Sequence, residues 1–376
     1  MHIKMVDLEA QFRVLESEIR RRFDEVLQTT AFINGRAVKD FAAELAAYLG
    51  VKKVVPCANG TDALQIALMA LDLQPGDEVV VPDFTYISTV EVAALLRLTP
   101  VPVDVDPFTF NLDPVRFAEA LTPRTKAVVP VHLFGQCADM DPILDLAQER
   151  GVFVVEDAAQ AVGARYTGGK RSGAAGTLGT VGCTSFYPSK NLSCYGDGGA
   201  MFTQDEELAQ ILETIANHGQ SRRYYFDRVG VNSRLDSLQA AVLSAKLPLL
   251  DSENEKRRAV ARRYDEAFAD LSALRTPVVA PYSTHVYHQY TVVLENERLR
   301  DGLSRHLTEK NIPNVVFYPL PVHAQNAYRN PQYTDERLPV ATRLSKTVLS
   351  LPMHAYLTDE QVDFVVESVR EYFTKI

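Results

Sequence analysis

One lysine lies in a proline-containing turn, within Ser185–Asn191 (SFYPSKN), and the glycine-rich stretch Gly196–Ala200 (GDGGA) follows it. Burial among neutral groups disfavours an ammonium, so Lys190 could present a free amine. Such an amine can form a Schiff base with an aldehyde, which is how pyridoxal phosphate is attached to enzymes. Most lysines in turns are solvated instead, so this stretch alone does not decide the chemistry.

An acidic residue follows an apolar run in Val154–Gln160 (VVEDAAQ). If the run is a buried strand, Asp157 lies at its carboxyl end. A carboxylate beside a pyridine nitrogen keeps that nitrogen protonated, so the ring can accept electrons from a carbanion. Gln160 could donate a hydrogen bond to the phenolic oxygen of the same ring. The structural alternative is an aspartate that caps the next helix.

A phosphate could bind at Asn59–Leu64 (NGTDAL), where a predicted strand gives way to a helix. Free N–H groups at a helix N-terminus, with Gly60 allowing close approach, suit an anion. Ser185 could add a hydroxyl, and Tyr86 could stack its ring on a cofactor. An ordinary capped helix and a core aromatic are the alternatives.

The elements that would position these residues are short apolar runs that alternate with helical patterns. The predicted strands are Lys53–Cys57, Glu78–Pro82, Thr99–Val103, Ala127–Val131, Val152–Glu156 and Gly182–Phe186. The predicted helices between them are Thr61–Leu71, Ser88–Leu95, Pro114–Leu121 and Met140–Glu149. This alternation predicts an α/β fold with a mostly parallel sheet, helices on both faces and binding groups at the carboxyl ends of the strands.

Helical patterns also occupy both ends of the chain. Asp7–Gln28 has one apolar face, a second helix ends at Gly50, and a long pattern runs from Ser237 to Phe268. Gln289–Leu294 resembles a strand, and Thr358–Phe373 begins with a capping signature. We expect a large domain over residues 1–250 and a smaller α+β domain over residues 251–376.

Composition excludes several classes of protein. The net charge of −9 argues against a nucleic-acid-binding face. The four cysteines form no CxxC pair, so we expect reduced thiols and no zinc site. The N-terminus lacks the apolar core of a signal peptide, and no apolar run approaches the ~18–20 residues of a membrane span. We therefore expect a cytoplasmic protein with no membrane partner.

Taken together, the motifs resemble one family along essentially the whole chain. They are GTDAL (60–64), VEDAAQ (155–160), SFYPSKN (185–191), GDGGA (196–200), GVNSRLDSLQAA (230–241) and YPLPVH (318–323). This set is similar to the DegT/DnrJ/EryC1/StrS sugar aminotransferases. The resemblance implies a fold-type I, pyridoxal-phosphate-dependent aminotransferase that works as a homodimer.

Residue-by-residue matching implies a cofactor site. Lys190 would bond to the cofactor, and Asp157 would pair with the pyridine nitrogen, so these two residues are the predicted catalytic groups. The predicted cofactor-binding set is Gly60, Thr61, Tyr86, Asp157, Gln160, Ser185, Lys190 and, from the partner subunit, Asn232. The resemblance also implies L-glutamate as amino donor and a nucleotide-linked keto-sugar as acceptor, bound through Arg234, Tyr318 and His323.

Within the family, the sequence looks closest to the branch that aminates the C3 ketone of UDP-2-acetamido-3-keto-glucuronate for cell-surface polysaccharide, including lipopolysaccharide. Arg234 would meet the sugar carboxylate. Phe317 and His323 depart from that branch and resemble enzymes that act on dTDP-linked 3-keto-6-deoxyhexoses or 4-keto sugars.

Two other functional classes remain as alternatives. Family dehydratases replace the Schiff-base lysine with histidine, so Lys190 favours transamination. A non-catalytic regulatory protein could use the same fold as a scaffold. A nicotinamide enzyme fits poorly, because no G-x-G-x-x-G opens a helix after the first strand.

Overall fold

The computed structural model of this chain describes residues 2–375. Within that range the α-helices are α1 (Leu8–Thr29), α2 (Arg36–Leu49), α3 (Gly60–Ala70), α4 (Ser88–Leu95), α5 (Pro114–Ala120), α6 (Met140–Arg150), α7 (Glu206–Ala216), α8 (Ser237–Lys246), α9 (Leu250–Phe268), α10 (Glu297–Glu309), α11 (Pro339–Thr347) and α12 (Asp359–Thr374).

In the same range the strands are β1 (Lys53–Cys57), β2 (Glu78–Pro82), β3 (Thr99–Val103), β4 (Thr125–Val128), β5 (Phe153–Asp157), β6 (Arg165–Thr167), β7 (Ser172–Ala174), β8 (Val181–Ser185), β9 (Gly199–Thr203), β10 (Gln220–Arg222), β11 (Tyr225–Phe226), β12 (Leu274–Arg275), β13 (Tyr290–Leu294) and β14 (Val348–Leu351).

The central sheet has seven strands in the order β1-β9-β8-β5-β4-β2-β3. Pairs among β3, β2, β4, β5 and β8 are parallel, whereas β9 is antiparallel to both β8 and β1. The sheet is therefore mostly parallel, which confirms the predicted fold class. The carboxyl ends of its parallel strands lie at one edge, where a site can assemble.

Both faces of the sheet are buried under helices. Val79 and Val81 of β2 pack into a core that includes α3, α4 and α7, whereas Val80 between them packs into a core that includes α2, α6 and α8. Successive side chains of a strand point to opposite faces, so this alternation shows apolar packing on both sides. That explains why the strands are nearly continuous apolar runs.

Several helix boundaries follow from local signals that the sequence analysis used. Asp7 accepts a hydrogen bond from Ala10 N at 3.1 Å and begins α1. Gly50 ends α2 with a left-handed φ of 73°. Thr358 and Gln361 form the reciprocal capping box of α12. The caps predicted at Gly50 and Thr358 are confirmed, whereas the cap at Asp7 was not predicted and α1 begins one residue after it, at Leu8.

Other predictions need correction. The long helical pattern from Ser237 to Phe268 is interrupted by a 3₁₀ turn at Leu247–Leu249, because Pro248 lacks the N–H that a continuous helix needs. The sequence analysis also missed the antiparallel strand β9 and the helices α7, α10 and α11.

The C-terminal part has its own small sheet. β12, β13 and β14 pair antiparallel, and their apolar residues pack with α9, α10 and α12. The boundary near residue 250 stays a prediction. Among residues 2–375, none of the helices combines the length and apolar character that crossing a bilayer requires.

Candidate active site

Two adjacent strands bring the predicted catalytic segments together. β5 and β8 pair in parallel with Asp157 opposite Cys183, so the carboxyl end of β5 lies beside that of β8. The chain leaves β8 at Ser185 and turns, with Lys190 N donating to Tyr187 O at 2.8 Å. Sheet pairing therefore brings the segments that carry Asp157 and Lys190 to one edge.

The Asp157 carboxylate is largely withdrawn from solvent, with 6% of the residue exposed. It accepts a hydrogen bond from Ala159 N at 3.0 Å. Burial raises the pKa of Asp157, and the Ala159 hydrogen bond and the nearby Lys190 ammonium offset this only in part. The carboxylate is therefore in a position that a further cation would stabilise.

The pKa of Lys190 is shifted in the opposite direction to that of Asp157. Burial of its amine lowers the pKa of Lys190 to about 8, while the Asp157 carboxylate acts in the opposite direction. With such a pKa, about a tenth of the amine is uncharged at pH 7, far more than for an ordinary lysine, and the uncharged form is the nucleophile. The residue as a whole is half-buried, and its role as the amine that binds the cofactor stays a prediction.

A buried polar network next to Asp157 was not anticipated from the sequence. The fully buried Glu156 accepts hydrogen bonds from the backbone N–H groups of Gly176, Leu178 and Gly179. It also contacts His132 Nε2 at 2.8 Å. Because His132 Nδ1 accepts from Ala138 N at 3.0 Å, the ring hydrogen is on Nε2 and points to Glu156. The network anchors the strand end that carries Asp157.

The N-terminus of α3 lies against the end of β8. Asn59 caps the helix by accepting from Asp62 N at 2.8 Å. Among the described residues, the N–H groups of Gly60 and Thr61 have no acceptor within hydrogen-bonding distance. A Cβ at Gly60 would lie 2.7 Å from the Cβ of Ser185, so only glycine allows this approach. Two free N–H groups and a hydroxyl thus lie together.

Two aromatic residues and an amide lie on the other side of the site. Gln160 Oε1 accepts from Phe134 N at 2.8 Å, and its Nε2 donates to the Tyr318 hydroxyl at 3.1 Å. The Tyr318 ring centroid is 6.3 Å from that of Tyr86. Tyr86 is 57% exposed, so its ring has a free face. The structure thus brings Gln160, Tyr318 and Tyr86 together.

His323 is held between two carboxylates. Its Nδ1 lies 2.6 Å from Asp83 Oδ2, and its Nε2 lies 3.0 Å from Asp335 Oδ1. Burial lowers the pKa of His323, but the two carboxylates outweigh it and the net shift is upward. A role for His323 in sugar binding stays a prediction. A cavity of about 450 Å³ adjoins it, lined in part by Arg329, Asn330 and Tyr333.

Asn232 and Arg234 both interact with Asn217, which follows the end of α7. Asn232 is exposed and forms an isolated bridge with Asn217. Arg234 is partly buried and donates to Asn217 Oδ1 at 3.0 Å. Among residues 2–375, neither residue makes a hydrogen bond or ion pair with Lys190 or Asp157, so their predicted roles remain predictions.

The arginines that crowd this part of the sequence have separate partners. The Arg222 guanidinium lies 3.7 Å from the ring centroid of Tyr225 on the β10–β11 hairpin. Arg223 lies 5.1 Å from that of Tyr224, and Arg228 pairs with Asp72 at 2.9 Å. The hairpin is largely exposed, with exposed fractions of 73%, 54% and 59% for Tyr224, Tyr225 and Phe226.

These groups fit a bound pyridoxal phosphate. The free N–H groups beside Ser185 suit a phosphate, Asp157 suits a protonated ring nitrogen, and Lys190 suits an aldehyde. Over residues 2–375, no group of three or more His, Cys, Asp or Glu side chains is placed to hold a metal ion.

Comparison with known proteins gives a family match over nearly the whole chain. The model described as the DegT/DnrJ/EryC1/StrS aminotransferase family matches residues 13–370. A UDP-2-acetamido-2-deoxy-3-oxo-D-glucuronate aminotransferase from Pseudomonas aeruginosa is 46% identical, with 96% of this chain and 98% of the relative covered.

Other relatives carry different names. A pleiotropic regulatory protein from Geobacillus stearothermophilus is 44% identical, with 99% of each chain covered. A dTDP-3-amino-3,4,6-trideoxy-alpha-D-glucose transaminase from Streptomyces venezuelae is 41% identical and covers 100% of this chain and 97% of its own. The crystal structure of DesV from S. venezuelae superposes with a TM-score of 0.95 at 42% identity, covering 99% and 98% of the two chains.

The first prediction separates Lys190 from another buried lysine. We expect Lys190→Ala to lose the visible absorbance of protein-bound cofactor and to lower turnover by about 10⁴-fold, because the amine that bonds and moves protons is gone. Lys246→Met is the matched control, since burial also lowers the pKa of Lys246 to about 8 but its Nζ contacts Ser193 Oγ at 3.1 Å. Spectra and steady-state rates are measured for both. Near-normal turnover of Lys190→Ala would refute its role.

The second prediction concerns the approach of α3 to β8. We expect Gly60→Ala to weaken cofactor binding by about tenfold or more, because the new Cβ would push the free N–H groups away from Ser185. Gly169→Ala is the control, since a Cβ there meets nothing within 4 Å. Titration of the cofactor-free proteins with pyridoxal phosphate measures both affinities. Equal affinities would show that α3 does not bind the phosphate.

Proposed function

This chain belongs to the DegT/DnrJ/EryC1/StrS aminotransferase family, and from that premise we propose that it transfers an amino group from L-glutamate to the C3 ketone of UDP-2-acetamido-3-keto-glucuronate. The chain is a pyridoxal-phosphate-dependent aminotransferase. The observation that carries the proposal is that adjacent strands bring the carboxylate of Asp157 and the turn of Lys190 to one sheet edge, beside a free helix N-terminus.

The residues divide the chemistry between them. Pyridoxal phosphate, when bound, supplies an aldehyde for amines and a ring that withdraws electrons from a neighbouring carbon. We propose that Lys190 Nζ takes the proton from the α-carbon of glutamate and later returns a proton to the sugar carbon, acting as base and then as acid. The Asp157 carboxylate stabilises positive charge at the ring nitrogen. Preorganised electrostatic groups of this kind contribute about 10²–10³ in rate.

The remaining roles concern binding. Gly60 and Thr61 donate their N–H groups to the phosphate, and Ser185 adds its hydroxyl. The amide oxygen of Gln160 accepts from Phe134 N, and its amide nitrogen donates one hydrogen to the Tyr318 hydroxyl, so the second hydrogen is available to an oxygen of the ring. Tyr86 and Tyr318 supply ring faces and a hydroxyl to the cofactor and the sugar.

The choice of sugar rests on Arg234 and on the 46% identical relative from P. aeruginosa. Among residues 2–375, the guanidinium donates a hydrogen bond only to Asn217 Oδ1, so its other N–H groups could hold a carboxylate in a bidentate fork. A carboxylate at C6 of the sugar is the group that such an arginine would select. The product would serve cell-surface polysaccharide, including lipopolysaccharide.

A second candidate substrate is a dTDP-linked 3-keto-6-deoxyhexose. In the sequence, Phe317 and His323 favour this substrate. The 41% identical relative from S. venezuelae is named a dTDP-3-amino-3,4,6-trideoxy-alpha-D-glucose transaminase. A deoxyhexose has no carboxylate, so Arg234 would have no ionic partner in this case. The two candidates therefore differ in how much they depend on Arg234.

We also propose a homodimer in which Asn232 of the partner subunit reaches the cofactor phosphate. Asn232 is exposed in the single chain, and the nearby hairpin exposes two tyrosines and Phe226. Exposed aromatic residues grouped on one surface are typical of a protein–protein contact. We place the enzyme in the cytoplasm, because all four cysteines are free, buried thiols, as a reducing compartment favours.

The third prediction tests the substrate. With glutamate as donor, we expect the UDP-linked 3-keto-glucuronate to yield an amino-sugar and 2-oxoglutarate faster than dTDP-linked 3-keto- and 4-keto-6-deoxyhexoses. Arg234→Gln should lower kcat/KM for the glucuronate by about tenfold or more and spare the uncharged sugars, because a buried charge pair is lost.

Mass spectrometry of the amino-sugars and an assay for 2-oxoglutarate measure the outcome. Arg171→Gln is the control, because Arg171 pairs with Asp141 and Asp145 on α6. A preference for dTDP sugars that Arg234→Gln leaves unchanged would replace the first candidate with the second. Absence of 2-oxoglutarate with every sugar would contradict transamination itself.

The fourth prediction tests the shared site. Lys190→Ala and Asn232→Ala chains should each have low activity, but chains mixed through reversible unfolding should regain about a quarter of wild-type activity, because half of the random dimers contain one intact site. Activity is measured before and after mixing, and light scattering gives the mass. A monomeric protein, or a mixture that stays inactive although hybrid dimers form, would exclude a site completed by the partner subunit.

A further inference from the structure

The ring of His323 lies between two carboxylates that come from different parts of the fold. Asp83 follows β2, and Asp335 lies in the segment before α11. The side chains of His323 and Asp83 are 4% and 0% exposed, whereas the side chain of Asp335 is 60% exposed. One contact of the ring is therefore internal, and the other lies at the surface.

The two contacts indicate how many hydrogens the ring carries. His323 Nδ1 lies 2.6 Å from Asp83 Oδ2, and Nε2 lies 3.0 Å from Asp335 Oδ1. The other oxygen of Asp83 already accepts from the backbone N–H of His323 at 2.8 Å. A neutral imidazole has one N–H, so its second nitrogen would direct a lone pair at a carboxylate. The geometry therefore favours an imidazolium, with a hydrogen on each nitrogen.

The same contacts hold the segment that begins at Tyr318. At the end of this segment, Val322 N donates to Asp83 O at 2.9 Å, next to the bonds of His323. At its start, the ring centroid of Tyr318 is 6.3 Å from that of Tyr86. The segment is therefore joined at both ends to the loop after β2, which carries Tyr86.

A second aspartate holds the beginning of α11. Asp104, which follows β3, accepts from the backbone N–H groups of Val340 and Ala341 at 2.8 Å each. Strands β2 and β3 are neighbours in the sheet. The chain between His323 and α11 is thus fixed at the ends of two adjacent strands, and the contact of His323 with Asp335 lies between these two fixed points.

The charges around the ring support the imidazolium. Burial lowers the pKa of His323, but the bonds to Asp83 and Asp335 outweigh it, so the net shift is upward. Burial also raises the pKa of Asp83, and the nearby Asp104 acts in the same direction, so Asp83 and the ring hold the hydrogen of their contact together. The pKa of Asp335 is lowered, chiefly by the bond from the ring and in smaller part by Lys346 on α11.

We propose that His323 is a positioning residue for the sugar side of the site. As an imidazolium, it joins Asp83 to Asp335 and fixes the segment in place. The fixed segment then holds Tyr318 and Tyr86 where they meet the keto-sugar. Both ring nitrogens are used, so the ring acts through these tyrosines, in place of the direct sugar contact predicted from the sequence. This inference rests on the proposed roles of the two tyrosines.

The proposal implies a dependence on pH. The contact with Asp335 is complete below the usual histidine pKa of about 6.5 and is lost as the pH rises through the higher pKa of His323 in the folded protein. The contact with Asp83 persists, because a buried carboxylate left without a donor costs more free energy than an exposed one. The KM for the keto-sugar should therefore rise with pH across this midpoint.

Histidine-selective ¹⁵N NMR of the full-length holoenzyme measures the ring directly, and its signals are assigned by their loss in His323→Gln. We expect two protonated nitrogens below pH ~6.5 and a midpoint above the usual histidine value. Asp335→Asn should lower the proton affinity of the ring about threefold or more, which fits the strength of a partly exposed ion pair. Glu336→Gln is the matched control, because Glu336 is an exposed carboxylate one position away that does not pair with His323.

Kinetics test whether the ring acts through Tyr318. His323→Gln should raise the KM for the keto-sugar about tenfold but change the single-turnover rate with glutamate less than threefold, because the tyrosines meet the larger substrate. Asp335→Asn changes only an exposed side chain, and it should lower the pH at which this KM rises by the same amount as the NMR midpoint. In a double-mutant cycle, adding His323→Gln to Tyr318→Ala should cost less than threefold in kcat/KM, since most of the effect passes through that tyrosine.

The outcomes separate this inference from the proposed function. A ring with one protonated nitrogen below pH ~6.5, equal midpoints in Asp335→Asn and Glu336→Gln, or fully additive effects in the cycle would each overturn the positioning role. A wild-type enzyme that makes no amino-sugar from any keto-sugar would instead contradict the proposed function, and the protonation of the ring would be unaffected.

Discussion

The charge balance between Asp157 and Lys190 governs the rest of the candidate site. Each group lies where water cannot solvate its charged form well, so the pKa of the acid is raised and that of the amine is lowered. Burial of two such groups costs free energy, which the rest of the fold must offset. Here the two adjacent parallel strands β5 and β8 hold the segments that carry them. A cationic ring placed beside Asp157 would relieve the cost of its burial, so cofactor binding and stability of the site are linked.

β5 and β8, which carry this balance, were predicted to within one residue at each end because most of their residues are buried on both faces of the sheet. β1, β2 and β3 have the predicted bounds, since a continuous apolar run followed by a polar turn has few other interpretations. β9 was missed because Gly199–Thr203 begins with glycine and follows a glycine-rich turn, and its pairing to β1 depends on residues far away in the chain. The boundary between α8 and α9 is signalled only by Pro248, within an otherwise helical pattern.

The hydrogen bonds that orient the site could not be predicted in the same way. His323 and Asp83 are separated by 240 residues, and His288 and Asn191 by 97. A spacing rule detects neighbours on one helix or strand, whereas these partners meet only after the sheet has formed and the C-terminal segments have packed on it. Glu156 illustrates this limit. An acidic residue inside an apolar strand indicates a buried polar network, but the sequence does not show which residues form it.

The contrast between Lys190 and Lys246 shows what the low pKa of a buried lysine does and does not mean. Burial lowers both pKa values to about 8. Lys246, however, contacts Ser193 Oγ and lies 4.4 Å from the ring centroid of Tyr195, so its donors are directed into the protein. Lys190 lacks such a side-chain partner among the described residues and lies at the sheet edge that carries Asp157. A low pKa from burial is therefore not enough to make a lysine reactive. The amine must also be free of hydrogen-bonding partners in the protein and lie near an opposite charge.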